Sequence, residues 1–97
     1  MGDDLFEWDA AKAEANYLKH GVDFPTAAEV FSDPFGIEEA DPRSAGYGED
    51  RFLLTGMGGG SLLTVVYTER GESLRIISAR RATKHEHDNY FLQNSQE

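Results

Sequence analysis

SLLTVVYTERGESLRIISARRATKHEH, residues 61–87, decides the fold. SLLTVVYT is rich in β-branched and aromatic residues and reads as a strand. Glu69-Arg70-Gly71-Glu72 is a tight turn, and SLRIISAR beyond it reads as a second strand. So short a connection requires antiparallel pairing, because parallel strands need a long crossover. Thr83 and Glu86 then have the T-x-x-E spacing of a capping box, in which each side chain satisfies the other's free backbone N–H. A helix is therefore expected from Lys84 to about Gln93.

Upstream, RFLLTGM reads as a third strand and GGGS as its connection. MGGG at 57–60 lacks a following Lys-Ser/Thr and a following helix, so it is a hairpin turn rather than a phosphate loop. Nearer the N-terminus, Asp9 suits the cap of a helix over 10–20, AAKAEANYLKH. That helix ends in two cations, Lys19 and His20, and Gly21 fits its left-handed closing position. Asp23 caps a second short helix with Pro25 in its first turn; Ala27, Val30 and Phe31 form its apolar face, and Pro34 ends it. FGIEEADPRSAGYGED reads as a short strand, a turn at Asp41-Pro42 and a mobile glycine-rich loop. The fold expected is α+β: two N-terminal helices, an antiparallel sheet of three to four strands and a C-terminal helix. The near-continuous apolar content of the strands argues that helices cover part of both faces. Ninety-seven residues hold one domain, expected over 5–92 with flexible ends at 1–4 and 93–97.

The chain has no cysteine, which excludes disulfides, zinc-thiolate sites and cysteine nucleophiles. Its first residues lack the basic and apolar regions of a secretory signal, and its longest apolar run falls far short of a membrane span. A cytoplasmic location is the default, with no membrane partner. Eighteen acids against nine Lys and Arg leave a net charge of −9. Taken alone, that balance argues against nucleic-acid binding, since affinity for phosphate comes from positive charge. The charge is polarised, however. Residues 23–50 hold eight acids and one arginine, whereas five of the nine bases lie between 70 and 84.

Strict alternation in SLRIISARR puts Leu74, Ile76, Ser78 and Arg80 on one face, and Arg75, Ile77, Ala79 and Arg81 on the other. Arg80, sharing its face with a polar serine, is the better phosphate ligand, because a guanidinium fork gives a phosphate two N–H bonds. An ion pair with one of the many acids is the equally weighted alternative. His20 titrates near neutrality and suits a general acid or base, although a helix-end histidine interacting with the dipole is the simpler reading. Glu49, Asp50 and Arg51 form a charged triplet before a strand, where the acids can orient an arginine or take a proton from a ribose hydroxyl. Tyr90 is expected to pack with Phe91 more than to donate to a ligand. His85 and His87, two apart on a helix, point away from each other and make a poor metal pair. No cofactor or metal is indicated.

FEWDAAKAEANYLKHGVDFPTAAEVF, DRFLLTGM and LLTVVYTERGESLRIISARRATKHE together resemble the BrnT family of bacterial type II toxins, over about residues 5–90. The most specific pieces are W-D-x-x-K (Trp8, Asp9, Lys12), N-x-x-K-H-G-V (Asn16, Lys19, His20, Gly21, Val22), E-x-R-F (Glu49, Arg51, Phe52) and R-I-I-S-A-R-R-A-T. The resemblance implies a RelE-like fold and a ribonuclease activity that stops translation. It also implies a cognate BrnA-like antitoxin that neutralises the toxin and contacts operator DNA on behalf of the pair. Cleavage of RNA, free or on the ribosome, would be metal-free, by attack of a 2′-hydroxyl on the neighbouring phosphorus. On matching positions the resemblance carries over His20, Arg51 and Arg80 as site residues. We assign Arg80 and Arg51 to phosphate stabilisation and His20 or Glu49 to proton transfer, with Lys19, Arg81 and Lys84 steering RNA. The acidic balance sets a second reading beside this one: a catalytically weak antitoxin-binding module that acts in autoregulation of its operon.

Overall fold

The computed structural model describes residues 5–44 and 49–95. Much of the glycine-rich stretch expected to be mobile and the extreme ends lie outside those residues. In chain order the elements are β1 (Phe6–Glu7), α1 (Ala10–His20), α2 (Phe24–Ala28) continued by a 3₁₀ turn (Glu29–Ser32), β2 (Ile37–Ala40), a 3₁₀ turn (Pro42–Ser44), β3 (Arg51–Gly58), β4 (Ser61–Arg70), β5 (Ser73–Arg81) and α3 (Lys84–Asn94).

The helix starts are where the capping residues require them. Asp9 accepts from the Lys12 N–H at 3.0 Å and Asp23 from the Thr26 N–H at 2.7 Å. Gly21, at φ 73°, closes α1 in the left-handed conformation. The Thr83–Glu86 capping box is formed in full. α3 ends at Asn94, one residue past the end expected at about Gln93, and the Asn94 amide donates to the Phe35 carbonyl.

The sheet has five strands in the order β1-β5-β4-β3-β2, one more than the sequence reading allowed. β2 to β5 are antiparallel as expected, whereas β1 adds to the β5 edge in parallel through Phe6↔Leu74 and Glu7↔Arg75. Both central hairpins turn on two residues, Gly59-Gly60 and Gly71-Glu72. Gly59 and Gly60 both have positive φ, 59° and 80°, the geometry that matches the twist of the flanking strands.

The core lies on one face of the sheet. Leu63, Val65, Ile76 and Ala79 meet Val22, Phe24, Ala27 and Val30 from the α1–α2 region, with Trp8, Phe31 and Leu54 around them. Phe31 bridges Phe6 and Tyr67 there, at centroid distances of 5.1 and 4.9 Å. We call this the inner face. α3 belongs to the outer face, where Glu86 accepts from Thr64 at 2.9 Å. Its other anchor is Tyr90, buried, whose hydroxyl donates to Asp33 at 2.7 Å.

α1 also finishes the sheet. Past β1, the edge of β5 would expose backbone groups, and at Ala79 the side chain of Asn16 takes the place of a strand. Its amide donates to the Ala79 carbonyl at 2.9 Å, its oxygen accepts the Ala79 N–H at 3.1 Å, and the amide also reaches the Val22 carbonyl at 3.0 Å.

Candidate nucleic-acid groove on the outer face

The pairing of β4 with β5 slips by one residue. Tyr67 opposes Ile76 and Val66 opposes Ser78, leaving Ile77 as the extra residue of a β-bulge. Ile76 and Ala79 are both in the core, at 1% and 0% exposure, although they stand three positions apart, with two residues between them. The strict alternation expected for SLRIISARR is therefore broken. Ile77 and Ser78 both turn to the outer face, and Arg75 and Arg80 share it instead of lying on opposite sides. A bulge re-aims side chains in this way and commonly sits beside a functional site.

Around that bulge the outer face carries a groove made of two adjoining depressions. One, of about 300 Å³, is lined by Asp41, Arg43, Arg51, Val66, Ile77 and Ser78. The other, of about 200 Å³, is lined by Asp9, Lys12, Glu49, Arg51, Arg70, Arg75, Ile76 and Ile77. Arg51 and Ile77 belong to both. Five of the chain's nine Lys and Arg thus converge here. A third depression, of about 330 Å³ at the Gly59-Gly60 hairpin, has Glu29 and Asp33 in its wall and no basic residue, so it repels phosphate.

Each arginine of the groove is held by a carboxylate. Arg51 Nε donates to Glu49 at 3.2 Å. Arg75 donates to Glu7 at 3.2 Å, with Arg70 3.8 Å from the same carboxylate. Arg43 donates to Asp41 at 3.2 and 3.4 Å. Burial pushes the Asp41 carboxyl up, but the bonds from Arg43 and the nearby charge of Arg51 outweigh it and keep the group ionised. Lys12 differs. Among the described residues its ammonium makes no ion pair, so it is the groove's uncommitted cation.

Arg80 is on the same face but outside the groove. Its two terminal nitrogens donate to the two oxygens of Glu86 at 2.8 and 3.0 Å. Glu86 also accepts from Thr64 and from the Thr83 N–H. The Arg80 bonds, opposed by burial, hold the Glu86 carboxyl down to about 2, and the same pairing raises Arg80. Of the two uses weighed for this arginine, the ion pair is the one present. In register, Arg80 pairs through Thr64 with Thr55, four residues along β3 from Arg51, which is roughly 13 Å.

The remaining expected residues are dispersed. Arg51 and Glu49 are together in the groove. Lys19 and His20 end α1, where neither side chain bonds to another described residue. Arg81 faces a small depression with Gly21 and Asp23, and Lys84 is spent on Asp88 at 2.9 Å. Lys12, Asp41, Arg43 and Arg75 escaped the sequence reading as site residues. Only for Arg75 was a signal available, the three-residue spacing of Ile76 and Ala79, which breaks the period of two and marks a bulge.

A small α+β domain thus carries, on the outer face of its sheet, a groove that gathers five of its nine bases. Residues 8–86 match the family described as ribonuclease toxin, BrnT, of type II toxin–antitoxin systems, and the chain belongs to that family. A type II toxin has a cognate antitoxin as its partner. No match is found among curated proteins. Among the described residues, no helix is long and apolar enough to cross a membrane.

Proposed function

We propose that the chain is an endoribonuclease toxin that cuts RNA without a metal and so arrests translation and growth, until a BrnA-like antitoxin neutralises it. The observation that carries this reading is the convergence of five of nine basic residues on one groove of a chain with net charge −9. In a strongly acidic chain such a concentration of cations creates one favourable place for a phosphodiester.

In this reading Arg51 and Arg75 hold the scissile phosphate, with guanidinium N–H groups placed to stabilise the charge of the pentacovalent state. Glu49, beside Arg51, accepts the proton of the ribose 2′-hydroxyl as its oxygen bonds to phosphorus. The bond to the 5′-oxygen breaks, and the Lys12 ammonium returns a proton to that oxygen. The products are a 2′,3′-cyclic phosphate and a 5′-hydroxyl. Arg80 supports the site indirectly by fixing α3, and Lys19, His20, Arg81 and Lys84 contact RNA outside the reacting centre.

The test is induced expression in a bacterium of the wild-type chain beside Arg51→Ala and Glu49→Gln, following growth and RNA integrity together. Arrest and cleavage by the wild type alone support the reading. Normal growth with intact RNA, from soluble folded protein, sinks it.

A second reading has its own observation. Glu7, Asp9, Asp41 and Glu49 line or brace the same groove, so its cations are largely neutralised. That arrangement favours a module that binds its antitoxin for autoregulation, with weak affinity for RNA. Retention of the antitoxin by a chain that does not cleave distinguishes it.

A further inference from the structure

Phosphate binding does not account for the depression that Arg51 shares with Asp41, Arg43 and Ser78. A carboxylate in its wall repels phosphate, yet the Asp41 side chain is only 4% exposed and is fixed there. Its backbone N–H donates to the Arg51 carbonyl at 2.9 Å, so the acid is tied directly to the proposed phosphate ligand. One oxygen, Oδ1, already accepts the Arg43 N–H at 3.0 Å and Nε at 3.2 Å. The other, Oδ2, is held only at 3.4 Å, by an Arg43 side chain that is itself 78% exposed, so a swing of that arginine would open it to a ligand. Across the depression, Val66 and Ile77 supply apolar surface. The Ser78 hydroxyl, turned outward by the bulge, bonds to no other described residue. A volume of about 300 Å³ is at the small end of ligand pockets and is large enough for a planar base.

A carboxylate, a hydroxyl, an apolar wall and a guanidinium plane beside a phosphate ligand are what an unstacked base requires. The carboxylate decides which base. Guanine presents N–H donors side by side on its Watson–Crick edge, at N1 and the 2-amino group, and both suit an ionised acid. Adenine puts a ring-nitrogen acceptor there, whose lone pair opposes it. We propose that this depression is a guanine-reading pocket. With Arg43 swung aside, Asp41 Oδ2 accepts from the N1–H and 2-amino edge, Ser78 donates to the neighbouring exocyclic carbonyl oxygen O6, and the Arg43 plane covers the base. The inference rests on the ribonuclease reading for its RNA, but the pocket can be tested without cleavage.

The experiment is an NMR titration of the folded chain with 3′-GMP, 3′-AMP and 3′-CMP, following the Ile77 and Ser78 amides. The expected result is binding of 3′-GMP about fivefold or more tighter than 3′-AMP, with shifts at both amides. Asp41→Asn and Ser78→Ala should bring that ratio toward one. Asp41 caps a turn, so the serine variant carries the test if the aspartate variant loses its folded spectrum. Cut-site sequencing on a mixed RNA pool then compares cleavage beside G with cleavage beside A. Equal affinities for the three nucleotides, or an unchanged ratio in Ser78→Ala, overturn the pocket. Cleavage with no guanine bias and no nucleotide preference overturns the pocket and leaves the ribonuclease standing. A guanine preference without any cleavage by the wild type retains the pocket and overturns the ribonuclease.

Discussion

Arg80 and Glu86 face each other fork to fork, at 2.8 and 3.0 Å, across the junction of β5 and α3. The acid is also the capping residue of the helix and the acceptor for Thr64, so one carboxylate joins helix start, sheet and arginine. Breaking such a pair from one side leaves a partly buried charge without its partner. Glu86→Gln is expected to lower stability by about 1–2 kcal/mol, since the pair remains partly open to water. A urea melt gives the value, and an unchanged midpoint would show the pair to be decorative.

The same carboxyl makes stability depend on acid. Held to about 2 when folded, against an ordinary 4.5, it favours the folded state fully above pH 4.5. That contribution is lost as the pH falls from 4.5 toward 2, because the unfolded chain takes up the proton first. Asp33 acts in the same sense: burial raises its carboxyl, but the Tyr90 hydroxyl and two backbone N–H groups leave it below its usual range. Melting temperature measured from pH 6 to 2 should fall mainly below 4.5, and in Glu86→Gln the fall should be shallower.

Arg51 and Arg80 should separate cleanly. Arg51 is about two-fifths exposed and paired with an equally exposed Glu49, so Arg51→Ala is expected to cost under about 1 kcal/mol while abolishing RNA cleavage. Arg80→Ala should instead cost about 1–3 kcal/mol and reduce cleavage only as far as α3 loosens. Melting and cleavage measured on both variants check this. A stable, inactive Arg80→Ala would return that arginine to the reacting centre.

Asn16→Ala leaves the Ala79 N–H and the carbonyls of Ala79 and Val22 without their side-chain partner. Buried groups stranded in this way cost on the order of 2–4 kcal/mol in total. Hydrogen exchange at the Ala79 amide should accelerate by more than the global loss of stability explains.

Gly58→Ala puts a methyl group 2.8 Å from the Thr26 carbonyl and 3.0 Å from Val30. Backbone cannot yield as a side-chain tip does, so a loss of about 1–3 kcal/mol is expected, read as a lower thermal midpoint.

Much of the frame was legible because it is local. The caps at Asp9, Asp23 and Thr83 and the hairpins at Gly59 and Gly71 depend on neighbours in sequence. β1 was not legible: two residues carry no periodicity, and their pairing with Leu74 and Arg75 is decided far along the chain. The site was only partly legible. Arg51 and Glu49, singled out from one charged triplet, do line the groove, but one surplus residue at Ile77 overturned the facing assigned to β5. That slip brought Arg75 to the groove, while tertiary contacts decided that Arg80 spends its fork on Glu86. Lys12, Asp41 and Arg43 reach the groove from separate elements, a convergence no spacing in the chain reveals.

The Asn16 amide has a further consequence. An open strand border invites copies of a chain to stack edge to edge. At Ala79 one border of this sheet is stoppered by a side chain that mimics a neighbour, and at the other, β2 carries Glu38 and Glu39, both exposed. Two molecules that collide along β2 meet like charge, and along Ala79 they meet backbone already occupied. Edge-to-edge pairing is therefore disfavoured at both places, by an amide at one and by repulsion at the other.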